Sequence, residues 1–421
     1  MTDVTIREGE VILSAIGNAY SSLTLNSVDA SGTVITLGLS AEASISLTVS
    51  DSTLSGISWG GYSNAHGTRI HARDTRFTGD GLSSFSRGAC HHEVTIEECV
   101  FESGGIHVGD LSTGYSVCNG SFGRTTVRRS RFLDAGIIYG AVFGAQDNSI
   151  PGDFLAELDA NRFSGAGISA SLVHGFVSST GAAALQITNN IFESGGRCLV
   201  VSWGVDNIDP SDLPADFRLD VVNNTFVGCG TGLLLTTNSH PPGLNTHTDV
   251  IANNIIKGGS VGVSINGIVD HDLSIVGNDV HGQSTGAYVG DLPDQTGFNG
   301  NISADPLFVA PATDDFRLRS SSPCIDAGFS GLEVPRTDYA GTPRPLDGNG
   351  DGVVAPDIGA LEFVRLDADG DGFPAGPDCD DSDPSIHPGA VDLPGNHADE
   401  NCDGNAVCDS SASWRSHGEF I

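Results

Sequence analysis

The chain of 421 residues sets 19 Lys and Arg against 53 Asp and Glu, a formal charge of −34. That balance excludes proteins that grip nucleic-acid phosphates or anionic membrane surfaces, since both need basic patches. Fifty-six glycines, few aromatics and one methionine point to tight turns rather than helical packing, and no window approaches 18 consecutive apolar residues, so no membrane span is expected.

The first residues, MTDVTIREGEVILSAIG, open directly on strand-like alternation and lack the basic and apolar regions of a secretory signal; a truncated or mis-set start is expected. From there a repeat organises the chain. Five segments place an asparagine two positions before an apolar residue: Asn161 with Phe163, Asn190 with Phe192, Asn224 with Phe226, Asn254 with Ile256 and Asn278 with Val280. Looser copies have their apolar anchors at Phe132, Phe101, Phe77, Leu54 and Val28, and from Val28 onward the anchors stand 26, 23, 24, 31, 31, 29, 34, 30 and 24 residues apart. Such a period is one solenoid coil, too short for an independent domain. Runs such as VTIEECVF, LQITNNIF and RLDVVNNTF alternate with period two, the signature of strands.

The expected fold is therefore all-β, a right-handed parallel β-helix of about ten coils over residues 1–300, with the phenylalanines stacked inside. The asparagines are expected at a tight turn, in the left-handed region that Asn tolerates, with side chains bonded to the next coil.

Longer units carry extra loops, 143–153, 203–216 and 238–249, at equivalent points of successive coils, which places a binding face on that side. The scaffold resembles pectate lyases and polygalacturonases, so catalysis has to be weighed. Inverting hydrolysis needs two carboxylates about 6.5–9.5 Å apart. The densest acidic loop offers Asp206, Asp209, Asp212 and Asp216 beside Arg218, with Trp203 as a sugar platform. The ordered motifs of polygalacturonase-like enzymes occur only as fragments, and fold alone does not confer activity. A structural or binding body is preferred over a polysaccharide lyase or glycoside hydrolase, with extracellular polysaccharide or neighbouring cell-surface components as partners.

After about Gly300 the repeat stops. Asp305-Pro-Leu-Phe308, Asp315-Phe-Arg-Leu318, Ser322-Pro-Cys-Ile-Asp-Ala-Gly328, Asp338 with Gly341 and Arg344, and Asp357-Ile-Gly-Ala-Leu-Glu362 follow in order. Together they resemble the C-terminal segment of bacterial surface β-helix proteins of the choice-of-anchor type. The resemblance implies that 301–364 closes the β-helix and that the protein sits at the cell surface; the polar tail 406–421 shows no anchor signal. Within this segment Asp347, Asn349 and Asp351 with Gly352 keep calcium-loop spacing, and Asp357 stands at position 11 rather than 12.

The most specific chemistry lies in 365–405. Asp367, Asp369 and Asp371 alternate, Gly372 follows, and Asp378 comes eleven residues after Asp367. Carboxylates at positions 1, 3 and 5, glycine at 6, the Phe373 carbonyl at 7 and an acid at 12 make the ligand rhythm of a calcium loop. Hard oxygen donors in such number suit calcium rather than zinc or copper. Without a cation these aspartates and Asp380 would repel one another at close range. Cys379 and Cys402 flank the motif, and a bridge between them would close 24 residues, worth roughly 3.5 kcal/mol on a chain-entropy argument and implying an oxidising, extracellular compartment. The other seven cysteines cannot be paired from spacing.

Four blocks, Asp367–Phe373, Asp378–Pro384, Pro388–Ala390 and Glu400–Gly404, resemble the MopE-type metal-binding motif. The resemblance extends the metal set to Asp380, Asp381, Asp383 and Asp403. Here Val391-Asp392-Leu393 replaces the usual acid and cysteine after Pro-Gly-Ala, and His387 and His397 match no copper ligand set, so calcium is the expected cofactor.

Overall fold

The computed structural model describes residues 2–7, 10–15, 19–39, 43–61, 67–84, 92–108, 123–143, 154–174, 183–205, 217–237, 248–267, 273–331, 333–365, 369–371, 378–393, 396 and 398–404. Among them there is no α-helix, only strands, turns and one 3-10 turn at Pro311–Thr313. Apolar and β-branched residues on alternate positions favour extended chain with one buried face. Stacking coils then lets each strand pair with the coil before and the coil after.

Each coil supplies one strand to a ten-stranded parallel sheet running from Tyr20–Asn26 to Leu273–Val276, then a short strand and a longer one that belong to a 19-stranded sheet. In the early coils those two are continuous, as in Asp29–Leu39 and Thr53–Gly61, with a register break inside each. Among the described strands pairing is parallel except at Thr2–Arg7, which lies antiparallel to Glu10–Ala15, and at the hairpin Phe308–Ala310 with Asp315–Leu318. The chain is a parallel β-helix, a nearly closed solenoid, as the repeat implied.

Parallel register puts equivalent positions directly above one another. Phe77, Phe101, Phe132, Phe163, Phe192 and Phe226 form one pile with ring centroids 4.6–4.8 Å apart, the strand spacing itself. All six are buried, and Ile256 and Val280 continue the column. At the other end the register sets Ala30, not Val28, opposite Leu54. Val28 instead occupies the position two residues earlier, where its amide donates to Ser52 Oγ. A valine there looks apolar in sequence, which hid its true place.

That position is the polar ladder. Each of Asn161, Asn190, Asn224, Asn254 and Asn278 donates from its backbone amide and from Nδ2 to Oδ1 of the asparagine one coil on, at 2.9–3.0 Å, and the ladder ends on Asn301. Each Nδ2 also reaches a backbone carbonyl of the preceding coil, for example Asn224 to Ile187 at 2.8 Å. Burial of these amides costs nothing net because every donor and acceptor finds a partner. The ladder asparagines are not the left-handed residues, however. Positive φ falls one residue earlier, at Ala160, Asn189, Asn223, Asn253 and Gly277. The corner residue turns the chain so that the next side chain can point inward.

Residues 302–363 pack along the flank of the solenoid. Phe308, Phe316, Leu318, Cys324, Ile325, Ile358 and Ala360 share a core with Ile191 and Ile255, outward residues of the short strands. The corner asparagines hold this strap: Asn189 donates to the Thr337 carbonyl, Asn223 to those of Asp357 and Gly359, and Asn253 to that of Phe329. At its centre Arg344 and Glu362 form an ion pair with no exposed side-chain surface, and Arg344 also reaches Asn189 Oδ1 at 3.1 Å. Asp338 accepts the amides of Ala340, Thr342 and Glu362, and Asp357 those of Asp326 and Phe363. The acids and the arginine of the motif blocks are thus the strap's buried polar hub.

Candidate metal centre

Proline, glycine and short polar side chains leave the described residues between 369 and 404 without strands. Side chains bond amides two residues on instead: Asp369 takes the Asp371 amide, Asp378 that of Asp380 at 2.8 Å, Asp383 that of Ser385 and Asn401 that of Asp403. The expected bridge is present between Cys379 and Cys402, with a Cα separation of 5.6 Å. Glu400 is buried and accepts Asn396 Nδ2 and the Leu393 amide, while its carbonyl takes the His387 amide. Those bonds, that of Asn396 first, hold the Glu400 carboxyl below its ordinary range.

One carboxylate group gathers beside the disulfide. Oxygens of Asp369, Asp378 and Asp381 all lie within 4.8 Å of one another. Two oxygens sharing a calcium at about 2.4 Å can stand no farther apart than about 5 Å, so one ion can reach all three. Asp378 is 4% exposed; its Oδ1 takes the Asp380 amide, and its Oδ2 is buried and accepts no hydrogen bond among the described residues. A buried carboxylate oxygen beside two further carboxylates is costly unless a cation or a proton offsets its charge. The donor set fits a hard cation.

A second group joins Asp392, Asp399 and Asp403. Asp399 takes the amides of Asp403 and Gly404, and Asp392 takes that of Asn401. Neither Asp392 nor Asp399 was expected as a ligand. The signal was in the chain: Asp399, Asn401, Asp403 and Gly404 repeat the 1-3-5-6 rhythm. Asp378 also lies near Cys379 and Cys402, but disulfide sulfurs are not thiolates and offer no soft site.

The remaining expected ligands are dispersed. Asp371 belongs to neither group. Asp380 accepts Ser382 Oγ, and Asp383 accepts the hydroxyl and amide of Ser385, which lower its pKa. Asp367 and Phe373 lie outside the described residues. In the earlier loop, Asp347 takes the amides of Gly350 and Gly352 and Asn349 that of Asp351, but Asp347, Asp351 and Asp357 form no common group. Asp357 faces the strap hub, where burial and then Glu362 push its pKa up to about 7. Arg365 stands against Asp347 Oδ1 at 3.3 Å and already sets a positive charge beside it.

Asp206, Asp209, Asp212 and Asp216 lie outside the described residues, as do the interiors of the three long loops. Trp203 stands on strand Arg197–Val205 with its side chain outside the description. Arg218 is engaged by Asp220 at 2.8 Å and by Glu333 at 3.3 Å. A second disulfide, Cys198–Cys229, joins neighbouring coils with a Cα separation of 5.8 Å, and Cys99 and Cys324 are free and buried. Cys99 fills a rung of the polar ladder, where its Sγ donates to the Ala72 carbonyl, and burial raises its pKa to about 12.

A family model described as "Putative metal-binding motif" (Cu-binding_MopE) matches residues 378–406. The match starts at Asp378, so it takes in Asp381, the second carboxylate group and the disulfide but not Asp369. No curated protein and no solved structure matches the chain. No helix among the described residues is long and apolar enough to cross a membrane. The chain is a parallel β-solenoid carrying a MopE-type metal-binding motif near its C-terminus.

Proposed function

We propose that this is an extracellular β-helix protein of the cell surface whose Asp-rich module takes up calcium, with the solenoid serving as a structural or glycan-binding body. Two observations carry the metal reading: carboxylate oxygens of Asp369, Asp378 and Asp381 gather within 4.8 Å of one another, and Asp378 Oδ2 is buried without a hydrogen-bond donor among the described residues. Every candidate ligand is a carboxylate, amide or carbonyl oxygen, which favours calcium over copper or zinc. Two disulfides support an oxidising compartment, and the choice-of-anchor resemblance supports the surface. Among the described residues nothing favours the alternative of a polysaccharide-cleaving enzyme: Arg218 is tied to two acids rather than available as a base.

Calcium would be held by Asp369, Asp378 and Asp381 and would supply the charge that lets these acids stay close together. The test is isothermal titration of the chelator-treated full chain with calcium, magnesium and copper chlorides. Calcium should bind most tightly, and Asp378→Asn should weaken it. Copper binding that is tighter and insensitive to Asp378→Asn overturns the assignment.

A further inference from the structure

Where the strap overhangs the ten-stranded sheet, a cleft of about 340 Å³ is lined by Arg218, Thr248, Val250, Ser274, Phe329 and Glu333, among others. That volume is at the lower end of small-molecule sites and suits one or two sugar rings. Phe329 is 46% exposed, although its backbone is fixed on both sides: its amide donates to Asn253 Oδ1 at 2.7 Å and its carbonyl accepts Asn253 Nδ2 at 2.9 Å. The preceding residue is pinned too, with the Gly328 amide on the Pro356 carbonyl at 2.8 Å. The backbone is held as tightly as a core residue's while the ring is left partly in water.

Gly331 keeps the ring clear. A Cβ there would fall 2.6 Å from Phe329 Cε1, so any side chain would press on the ring. The polar rim is balanced in charge. Arg218 donates from Nε to Asp220 and from Nη2 to Glu333, so a negatively charged ligand meets a guanidinium already neutralised, with an excess acid beside it. A flat apolar ring beside carboxylate oxygens and serine and threonine hydroxyls matches a pyranose, which has one C–H face and a rim of hydroxyls.

We propose that this cleft is a glycan subsite for a neutral pyranose, stacked on Phe329 and hydrogen-bonded at Glu333, and that it rejects uronic acids. The proposal rests on the glycan-binding reading of the body but not on the metal reading, so a calcium-free result in the titration above leaves it standing.

The experiment is saturation-transfer NMR and calorimetry on the full chain, using cellotetraose and mannotetraose as neutral probes and tetragalacturonate as the acidic one. A neutral probe should bind in the millimolar range or better, and Phe329→Ala should weaken it about tenfold with the melting temperature unchanged. Glu333→Gln, which leaves Arg218 less neutralised, should raise tetragalacturonate binding relative to the neutral probes. If neither neutral probe binds, if binding survives Phe329→Ala unchanged, or if tetragalacturonate binds the native chain more tightly than both, the proposal is overturned. Should Phe329→Ala lower the melting temperature, Glu333→Gln alone decides: an unchanged ratio of acidic to neutral binding overturns it.

Discussion

The solenoid body and the acidic module hold themselves together by opposite means. In the body, each coil repeats the same contacts, so a phenylalanine pile and an asparagine ladder run through many coils and the ladder's buried amides find their partners in the coils on either side. The module has almost no apolar core among its described residues. Its order comes from local side-chain-to-amide bonds and one disulfide, and it leaves a buried carboxylate oxygen without a donor. The contrast teaches that stability can be built by repetition or by a bound charge, and that perturbations should separate the two.

The largest effect belongs to the pile. Phe192→Ala opens a cavity between Phe163 and Phe226 and should cost about 3–5 kcal/mol, read as a large fall in the far-UV melting temperature with calcium binding retained. Loss of calcium affinity in that variant would break the separation. Next comes the module's clamp. Replacing Cys379 and Cys402 together by serine should remove roughly 3.5 kcal/mol from the module alone, visible as proteolytic cleavage within 369–404 while the main melt stays put.

The ladder is smaller per residue. Asn224→Ala leaves the Asn190 backbone amide without its acceptor, and a buried unsatisfied group costs about 1–3 kcal/mol. The main melt should fall with no change in module protection.

The smallest effect is on pH dependence. Asp279 is buried where the strap meets the last coils, accepting the Ala304 amide and Cys324 Sγ, and burial raises its pKa to about 6. The native state thus holds this proton more tightly than the unfolded chain. Its contribution is full below about pH 4 and is lost as pH rises through about 6, by at most roughly 1.4 kcal/mol per pH unit. Asp279→Asn keeps an acceptor for the Ala304 amide while removing the titrating group, and should flatten the stability curve across that window in denaturant titrations.

Much of the body could be read from the chain because a parallel coil forces equal positions to stack, so a column of Phe and a column of Asn must be physical columns. The errors came where one residue type served another's place. Val28 passed for an anchor while occupying the ladder, and the turn itself belongs to the residue before the ladder asparagine. The doublets Asn189-Asn190, Asn223-Asn224 and Asn253-Asn254 carried a further message: the first member faces outward and holds the strap, the second faces inward. Nothing local could reveal this, since the strap partners lie 76–148 residues away. The Cys198–Cys229 bridge escaped because the anchors of those coils are 34 residues apart and the cysteines 31.

In the module, the alternation of aspartates was legible, but which of them converge was not. Asp380 and Asp383 are drawn off by Ser382 and Ser385, and Asp357 by amides of the strap. Spacing gives candidates; competing hydrogen bonds choose among them.

The most direct test of the account is amide hydrogen exchange on the full chain with and without calcium, in the native protein and in Asp378→Asn. Calcium should slow exchange in residues 369–404 of the native protein and leave the coils of Phe77 to Phe226 unchanged, and the variant should lose that protection. Equal exchange in the module with and without calcium would contradict the claim that a bound cation completes it.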